Sequence, residues 1–410
     1  LRTAGRELEV RILHVSSEYP PQKVFGLGRY VSDLSRELAS QGHEVSVLTN
    51  SIGGADRDLV DRGVHVHRVE FPPPPMPPTP AAPVMAYNVH LQQRARSLGA
   101  KGLGDPEVVV SHDWLTASAG HRIAKRLGLP HVWTVHDIVH GKRFGKITEV
   151  DDRVTFAIER WATREADLVL VNSRAIGDEI ARVYGVRPDG VELLHPGIDP
   201  ASCECTQEDS RLAAFRSVMA GPDEVLLTFT GRLDLEKGID TLVNAFALLR
   251  NRRPEVRLAI AGRGALLPTI EEHVRKLGLE RAVTLCGYLE GQVLRSFYRV
   301  SDVHVCPSHY EPFGLVALEA MAAGAPVVVS DTGGLRDIVA TGKVGRKFPP
   351  GDPQALADTL HELVTNPKLR RQVGEAGKKH AIQKFAWSHL AKTAVAHYER
   401  ALESKKAVVA

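Results

Sequence analysis

The chain alternates strand-like and helix-like runs, breaks the pattern over residues 200–222, and restarts the same alternation after Val225. Val10–Ser16 is a short β-branched, apolar run; a loop over Ser17–Leu27 follows, and then Tyr30, Leu34 and Leu38 recur at helical spacing. GHEVSVLT supplies the next strand. Val64–Val69, Val108–Ser111, His131–Val135, Leu168–Val171 and Val191–Leu194 read as further strands, with helical segments such as Ala117–Leu127 and Ala175–Tyr184 between them. After Val225, VLLTFTGRL is a strand entering a loop, Leu242–Leu249 is helical, and Val256–Ala261, Ala282–Gly287 and Asp302–Cys306 are strands. Strands that alternate with helices are forced into parallel sheets with helices on their faces. The expectation is α/β, with domains over 1–205 and 206–380 separated near Pro222 and polar neighbours, and a C-terminal amphipathic helix over 381–410 that crosses back to the first domain.

A chain of 410 residues is long enough to bury two such cores. Its 43% hydrophobic and 25% charged residues and net charge of +3 are an ordinary soluble balance, and no nucleic-acid partner is expected. Cys203, Cys205, Cys286 and Cys306 form neither a CxxC pair nor a disulfide framework, so they read as reduced thiols. No apolar run reaches the roughly 18 residues of a membrane span. The N-terminal stretch lacks a secretory pattern, which sets a cytoplasmic enzyme as the expectation. FPPPPMPPTPAAP, residues 71–83, lacks too many backbone donors for a helix or an inner strand and reads as a stiff surface loop.

Chemistry concentrates in SHYEPFGLVALEAMAAGAPVVVS, residues 308–330, which sets Glu311 and Glu319 eight residues apart with Pro312 and Gly314 opening a helix. A strand-like VVVS and then Gly333-Gly334 follow. Carboxylates beside glycine-rich backbone can hold sugar hydroxyls and phosphate together, which points to a nucleotide sugar. GRLDLEKG, residues 231–238, adds Arg232 and Lys237: a planar donor fork and a mobile cation, both suited to a diphosphate. Read without further context, the same cations fit a solvated loop, the glutamates fit helix capping, and the glycines fit simple turns.

Taken together in this order, GRLDLEKG, Glu311 to Glu319 and TGGLRD (332–337) resemble the retaining glycosyltransferases with two facing Rossmann-like domains, the group that contains glycogen and starch synthases. The resemblance runs from about Val10 to the C-terminal helix. It implies an active cleft between the domains, with Arg232 and Lys237 on the donor diphosphate, Glu311 on the donor sugar and Glu319 on the nucleoside ribose. Gly314, Leu315, Gly333 and Gly334 would cradle sugar and phosphate oxygens. Asp337 stands where the broader group has glutamate, and this variant is similar to that of the glycogen and starch synthases.

In the first half, SSEYPPQKVFGLGRY resembles the donor-side loop of glycogen synthases, implying donor contacts from Lys23, Gly26 and Gly28 and an acceptor contact from Glu18. Phe25 alters the usual pair of glycines there, and Lys23 equally reads as surface charge. SHDWLTA offers His112 and Asp113 as acceptor contacts or as a structural hydrogen-bonded pair. In TVHD, the resemblance sets His136 beside the anomeric centre, its carbonyl stabilising positive charge and its side chain orienting the sugar. HPGID carries Pro196 where relatives often have asparagine, so no catalytic task is given to it. HGKRFGKI (140–147) offers Lys142 and Arg143 to a phosphate-bearing acceptor or an anionic membrane surface, or as a solvated loop.

The reaction this implies is transfer of a hexose, with retention, from ADP- or UDP-glucose to an α-glucan or related hydroxyl, with His136, Arg232, Lys237 and Glu311 as the catalytic set. GDP-mannose stays open as a donor. No metal site and no cofactor are expected; the nucleotide sugar is a substrate, the other partner is a carbohydrate acceptor, and oligomeric state is left open. Alternatives are a retaining transferase acting on a phosphate-bearing small molecule or lipid, and an inactive nucleotide-sugar-binding protein. Paired carboxylates also suit glycoside hydrolysis, but the phosphate-binding cations beside them favour transfer.

Overall fold

The computed structural model describes residues 9–21, 26–51, 58–70, 81–186 and 190–409, so Lys23, Phe25 and residues 71–80 of the proline run lie outside the described residues. The chain divides into two compact units: Leu1–Gly197 with Trp387–Ala410, and Ile198–Ala386.

Unit 1 is built on β1 (Arg11–Val15), β2 (Glu44–Ser51), β3 (Asp58–Asp61), β4 (Val64–Glu70), β5 (Val108–His112), β6 (His131–Val135), β7 (Leu168–Val171) and β8 (Val191–Leu193). They form one eight-stranded sheet in the order β3-β4-β2-β1-β5-β6-β7-β8. Its strands pair in parallel, apart from β3 against β4. Strands such as VVVSH are buried along their whole length, as a parallel sheet covered on both faces demands. One face carries Tyr30, Leu34 and Leu38 of helix Gly26–Ser40 and Trp387, Leu390, Ala394 and Tyr398 of the C-terminal helix Trp387–Val409. The other carries Tyr87, Leu91 and Ala95 of helix Ala81–Gly102 and Ala119, Ile123 and Ala124 of helix Asp113–Leu127.

Unit 2 holds β9 (Val225–Thr230), β10 (Val256–Ala261), β11 (Val283–Gly287), β12 (Val303–Cys306), β13 (Val327–Ser330) and β14 (Arg346–Phe348). This six-stranded sheet is parallel throughout, in the order β11-β10-β9-β12-β13-β14. Both sheets are doubly wound: the chain reverses its direction of travel between β1 and β5 in unit 1 and between β9 and β12 in unit 2. Loops leave in opposite directions at such a point, and ligands of this fold class enter beyond the strands' C-terminal ends there.

Three differences from the sequence expectation have local causes. The break falls at Gly197–Ile198 and Ala386–Trp387 rather than at 205–206 and 380–381. Ile198 and Cys203 pack in the core of unit 2 with Ala381 and Phe385, and the Ile198 amide donates to the Phe385 carbonyl at 2.7 Å. Residues 81–83 of the proline run open helix Ala81–Gly102 instead of continuing a loop; proline is tolerated in a first turn because the amide it lacks would be unpaired there. Helix Asp113–Leu127 starts directly at the end of β5, several residues before Ala117. Among the described residues, no helix is long and apolar enough to cross a membrane.

Candidate functional site

In unit 2 the GRLDLEKG run leaves the end of β9. Leu235–Lys237 make one turn of 3-10 helix closed by Gly238 at φ 62°. A Cβ at Gly238 would run into the carbonyl oxygen of Pro307, so glycine is required there by space as well as by backbone. The turn is stitched to the loop after β12, because the Glu236 carbonyl accepts the amides of His309 at 2.8 Å and Tyr310 at 3.3 Å. This brings Lys237 Nζ to 2.8 Å from Glu311 Oε2, with side chains 17% and 9% exposed. Ser308 Oγ donates to the same carboxylate oxygen at 2.9 Å.

Arg232 is placed differently. Its two terminal nitrogens meet Asp234 Oδ2 at 2.8 Å and Glu236 Oε1 at 2.5 Å, and 43% of its side chain is exposed. Both expected diphosphate contacts therefore carry resident counter-ions. An arriving anion would exchange partners with these carboxylates, at little cost for the exposed pairs of Arg232, whereas drawing Lys237 away would leave Glu311 largely buried without its cation.

Gly314 caps helix Leu315–Ala322 at φ 110° and Leu315 is the helix's first residue. Gly333 and Gly334 lie against the backbone of Glu311–Phe313: a Cβ on Gly333 would meet the Glu311 carbonyl, and one on Gly334 would meet Phe313 Cα and the Pro312 carbonyl. The Gly334 amide donates to the Glu311 carbonyl at 3.0 Å. These glycines let two loops close on each other and so fix the backbone that carries Glu311.

Glu319, on the same helix as Leu315, is buried and accepts the Tyr298 hydroxyl at 3.0 Å. That hydroxyl also lies 3.1 Å from Thr230 Oγ1. The row continues inward through His304 to Thr228 and Ser301. Burial pushes the His304 pKa down to about 3, so the ring is neutral. Arg263, after β10, sits with its guanidinium carbon 4.1 Å over the Tyr288 ring. Motif reading missed Tyr298, Ser308, Arg263 and Tyr288. Ser308 alone carried a signal, since it opens the glutamate segment.

In unit 1 the ends of β1, β5 and β6 bring three histidines into a row. His14 Nδ1 lies 3.0 Å from His112 Nε2, and His112 Nδ1 lies 3.2 Å from His136 Nε2. Desolvation lowers the His14 pKa to about 3 and the His136 pKa to about 4, and holds His112 well below its usual value, so the row is uncharged. The Tyr30 ring meets His136 edge-on with centroids 4.6 Å apart. The His136 amide donates to Asp113 Oδ1 at 2.7 Å, and its carbonyl accepts Asn172 Nδ2 at 2.6 Å. The carbonyl expected to face the anomeric centre thus already carries one donor, leaving its second lone pair.

His112 and Asp113, offered by the sequence as acceptor contacts or as a structural hydrogen-bonded pair, both bond to His136, His112 through the ring and Asp113 through the backbone amide. His112 is 0% exposed and has both ring nitrogens engaged. Asp113 sits at φ 56°, an uncommon backbone for a residue with a Cβ, and its carboxylate takes backbone amides of the His136 turn. Burial raises its pKa. The next turn is held by buried Glu159, whose carboxylate accepts the Val139 amide at 3.1 Å and the Tyr184 hydroxyl at 2.5 Å, and whose pKa is raised by burial. Lys142 pairs with Asp137 at 2.6 Å and Arg143 with Asp152 at 2.9 Å, each cation still nearly half exposed. Glu18 accepts the Gly28 amide at 3.2 Å, which ties the loop after β1 to the helix that begins at Gly26. Among the described residues, no group of three or more His, Cys, Asp or Glu side chains is placed to hold a metal ion.

Two doubly wound units, each with polar loops at its switch point, define the two-Rossmann-domain class called GT-B. Residues 24–202 match the family model described as Glycosyltransferase Family 4, and residues 212–380 match the model described as Glycosyl transferases group 1. The chain is 34% identical over 395 residues to the glycogen synthase of Mycobacterium tuberculosis, covering 93% of this chain and 92% of that protein. It is 30% identical over 388 residues to the D-inositol 3-phosphate glycosyltransferase of Jonesia denitrificans, covering 92% and 91%. Among solved structures, the sucrose-phosphate synthase of Thermosynechococcus elongatus matches with a TM-score of 0.82 at 24% identity, over 96% of this chain and 100% of that one. The chain belongs to the GT-B glycosyltransferases, in their glycogen synthase-like branch.

Proposed function

We propose that this protein is a retaining hexosyltransferase that moves glucose from ADP- or UDP-glucose to a hydroxyl of an α-glucan or related sugar. The observation that carries the reading is the Lys237–Glu311 pair at 2.8 Å, locked by two interleaved loops at the switch point of unit 2. On donor arrival Lys237 turns its N–H groups to the diphosphate and Arg232 adds its fork, which frees Glu311 to accept sugar hydroxyls. Glu319 takes the vicinal hydroxyls of the ribose. The backbone about Gly314, Leu315, Gly333 and Gly334 lies beside sugar and phosphate, and His136 orients the sugar.

The acceptor hydroxyl approaches the face from which the diphosphate leaves. The bond from the anomeric carbon to the diphosphate oxygen breaks with its electron pair on the oxygen, the new glycosidic bond forms, and a leaving-group oxygen takes the acceptor's proton. No protein nucleophile takes part. Orientation and the two cations supply the stabilisation, and this reading requires neither a metal nor a cofactor. The similarity to the M. tuberculosis glycogen synthase supports a glucan acceptor.

The test is mass spectrometry of products from the purified protein with ADP-glucose, UDP-glucose and GDP-mannose against glucans, small sugars and glycerol phosphates. A donor-dependent hexose increment with released nucleoside diphosphate supports the reading, and an α-linked product seen by NMR supports retention. Donor binding with no product on any acceptor overturns it in favour of a nucleotide-sugar-binding protein. A second reading, a phosphate-bearing acceptor, is favoured by the similarity to the D-inositol 3-phosphate enzyme and by the half-exposed cations Lys142 and Arg143. Product on glycerol phosphate alone selects it. Salt-sensitive binding to anionic liposomes marks a lipid form of that acceptor.

A further inference from the structure

The row His14–His112–His136 is a chain of neutral rings, and a neutral imidazole carries one N–H and one bare nitrogen. Each link therefore constrains the next. If His14 Nδ1 carries the proton, it donates to His112 Nε2; His112 must then hold its proton on Nδ1 and donate to His136 Nε2, which places the His136 proton on Nδ1. The opposite choice reverses every bond in the row and leaves His136 Nδ1 bare. The chain has two polarities, and the group at its buried end selects between them.

That end is defined. His14 is 0% exposed, and its Nε2 has no hydrogen-bond partner among the described residues. In the first polarity this atom is a bare nitrogen; in the second it is a buried N–H with nothing to donate to. Among backbone groups a buried N–H without a partner is rarer than an under-satisfied acceptor, and the same preference favours the bare nitrogen here. At the other end, His136 Nδ1 is the ring nitrogen that no described residue engages. The backbone of His136 is clamped on both sides by Asp113 and Asn172, and Tyr30 packs edge-on against its ring.

We infer that His14, acting through His112, fixes His136 in the tautomer whose Nδ1 carries the proton, so that His136 meets the donor sugar as a hydrogen-bond donor rather than an acceptor. His14 and His112 are positioning residues in this assignment. It rests on the sugar-orienting role proposed for His136, but the tautomer itself does not depend on that role.

The experiment is ¹⁵N NMR of the full-length protein labelled at histidine, at neutral pH and without substrate. The His136 signals are identified by their absence from His136→Gln. The expected result is a protonated Nδ1 and a bare Nε2 on His136. In His14→Leu the His136 signals shift toward the Nε2–H form; in His14→Asn, whose amide can still donate to His112, they return. A wild-type His136 protonated at Nε2 overturns the assignment, as does a spectrum unchanged by His14→Leu. If His14→Leu does not fold, the wild-type and His14→Asn spectra decide alone. Where transfer activity is found, kcat falls about tenfold in His14→Leu, the value of one hydrogen bond to a hydroxyl, with KM for the donor little changed and recovery in His14→Asn. A tenfold loss that His14→Asn does not restore also counts against it. Failure of the product assay leaves the NMR result standing, so the two readings fail separately.

Discussion

Both units end their central strands at a topological switch point, but they furnish it in opposite ways. Unit 2 presents Arg232 and Lys237 against Asp234, Glu236 and Glu311. Unit 1 presents His14, His112 and His136 as an uncharged row, with Asp113 and Glu159 pushed toward their neutral forms beside it. The difference is one of exchange. A charged pair near the surface can hand its cation to an incoming diphosphate, since one charge-assisted hydrogen bond replaces another. A row of neutral rings has no spare charge to hand over; it can only hold a direction. On the proposed reading, the ion pairs of unit 2 meet the charged part of the donor and the histidine row of unit 1 orients its uncharged sugar.

The largest effect that can break this contrast is expected at Lys237. Lys237→Ala removes the more shielded cation and leaves Glu311 nearly buried without it. We expect kcat to fall by about 10²–10³, the range seen when one preorganised donor is taken from a developing negative charge. The far-ultraviolet circular dichroism should be unchanged, with a lower melting temperature because a largely buried carboxylate has lost its partner. Adding Glu311→Gln should recover the melting temperature but not the turnover. Near-normal turnover in a folded Lys237→Ala protein would show that the charges of unit 2 are structural, and the contrast with unit 1 would collapse.

The same contrast governs what could be read before the structure. Arg232, Lys237, Glu311 and Glu319 lie in two short runs that each follow one strand, so their order along the chain is close to their order in space. His136 stood out in the same way, within TVHD. His14 could not, because it sits inside an ordinary apolar strand and gains meaning only when β1, β5 and β6 are laid side by side. Tyr298 is hidden for a similar reason: it belongs to helix Gly291–Val300, and only the packing of that helix over β9 brings its hydroxyl to Thr230 and Glu319. His112 and Asp113 were visible as polar residues at a strand end, but their direction was not. Strand ends were legible from β-branched runs. The start of helix Ala81–Gly102 was masked by prolines that lie just ahead of it and within its first turn.

Acid should separate the units next. His14 and His131, with pKa values of about 3, His136, at about 4, and His112, well below normal, are all held down by burial. Below the ordinary value near 6.5 the unfolded chain binds protons that the folded one refuses, so these histidines favour unfolding as the pH falls from about 6.5 to about 4. Asp113 and Glu159 act in the opposite sense, since burial raises their pKa values and the folded state binds protons first. Four histidines outweigh two acids, and each net proton contributes about 1.4 kcal/mol per pH unit. In unit 2, His304 is the corresponding fully buried ring. Segment-resolved hydrogen exchange between pH 7 and pH 4.5 should show unit 1 opening first. Earlier opening of unit 2 would mean that its ion pairs, rather than the buried rings, limit acid stability.

The smallest expected effect sharpens the contrast most finely, because it concerns the part of unit 2 that is built like unit 1. The row Glu319–Tyr298–Thr230–His304 is buried and holds a neutral ring, yet it ends on a carboxylate. If Glu319 takes the ribose hydroxyls, Glu319→Ala should weaken binding of the intact donor about tenfold or more, the value of hydrogen bonds to a charged acceptor. Tyr298→Phe keeps the carboxylate and removes one hydroxyl that aims it, so its cost should be about threefold, matching a neutral hydrogen bond of somewhat under 1 kcal/mol. Isothermal titration calorimetry with the donor measures both. The two losses should appear in affinity and leave kcat nearly intact, the reverse of His14→Leu in unit 1. A Tyr298→Phe protein that binds donor normally but turns over slowly would place this row in the chemical step, and unit 2 would then orient the sugar as well as hold its charge.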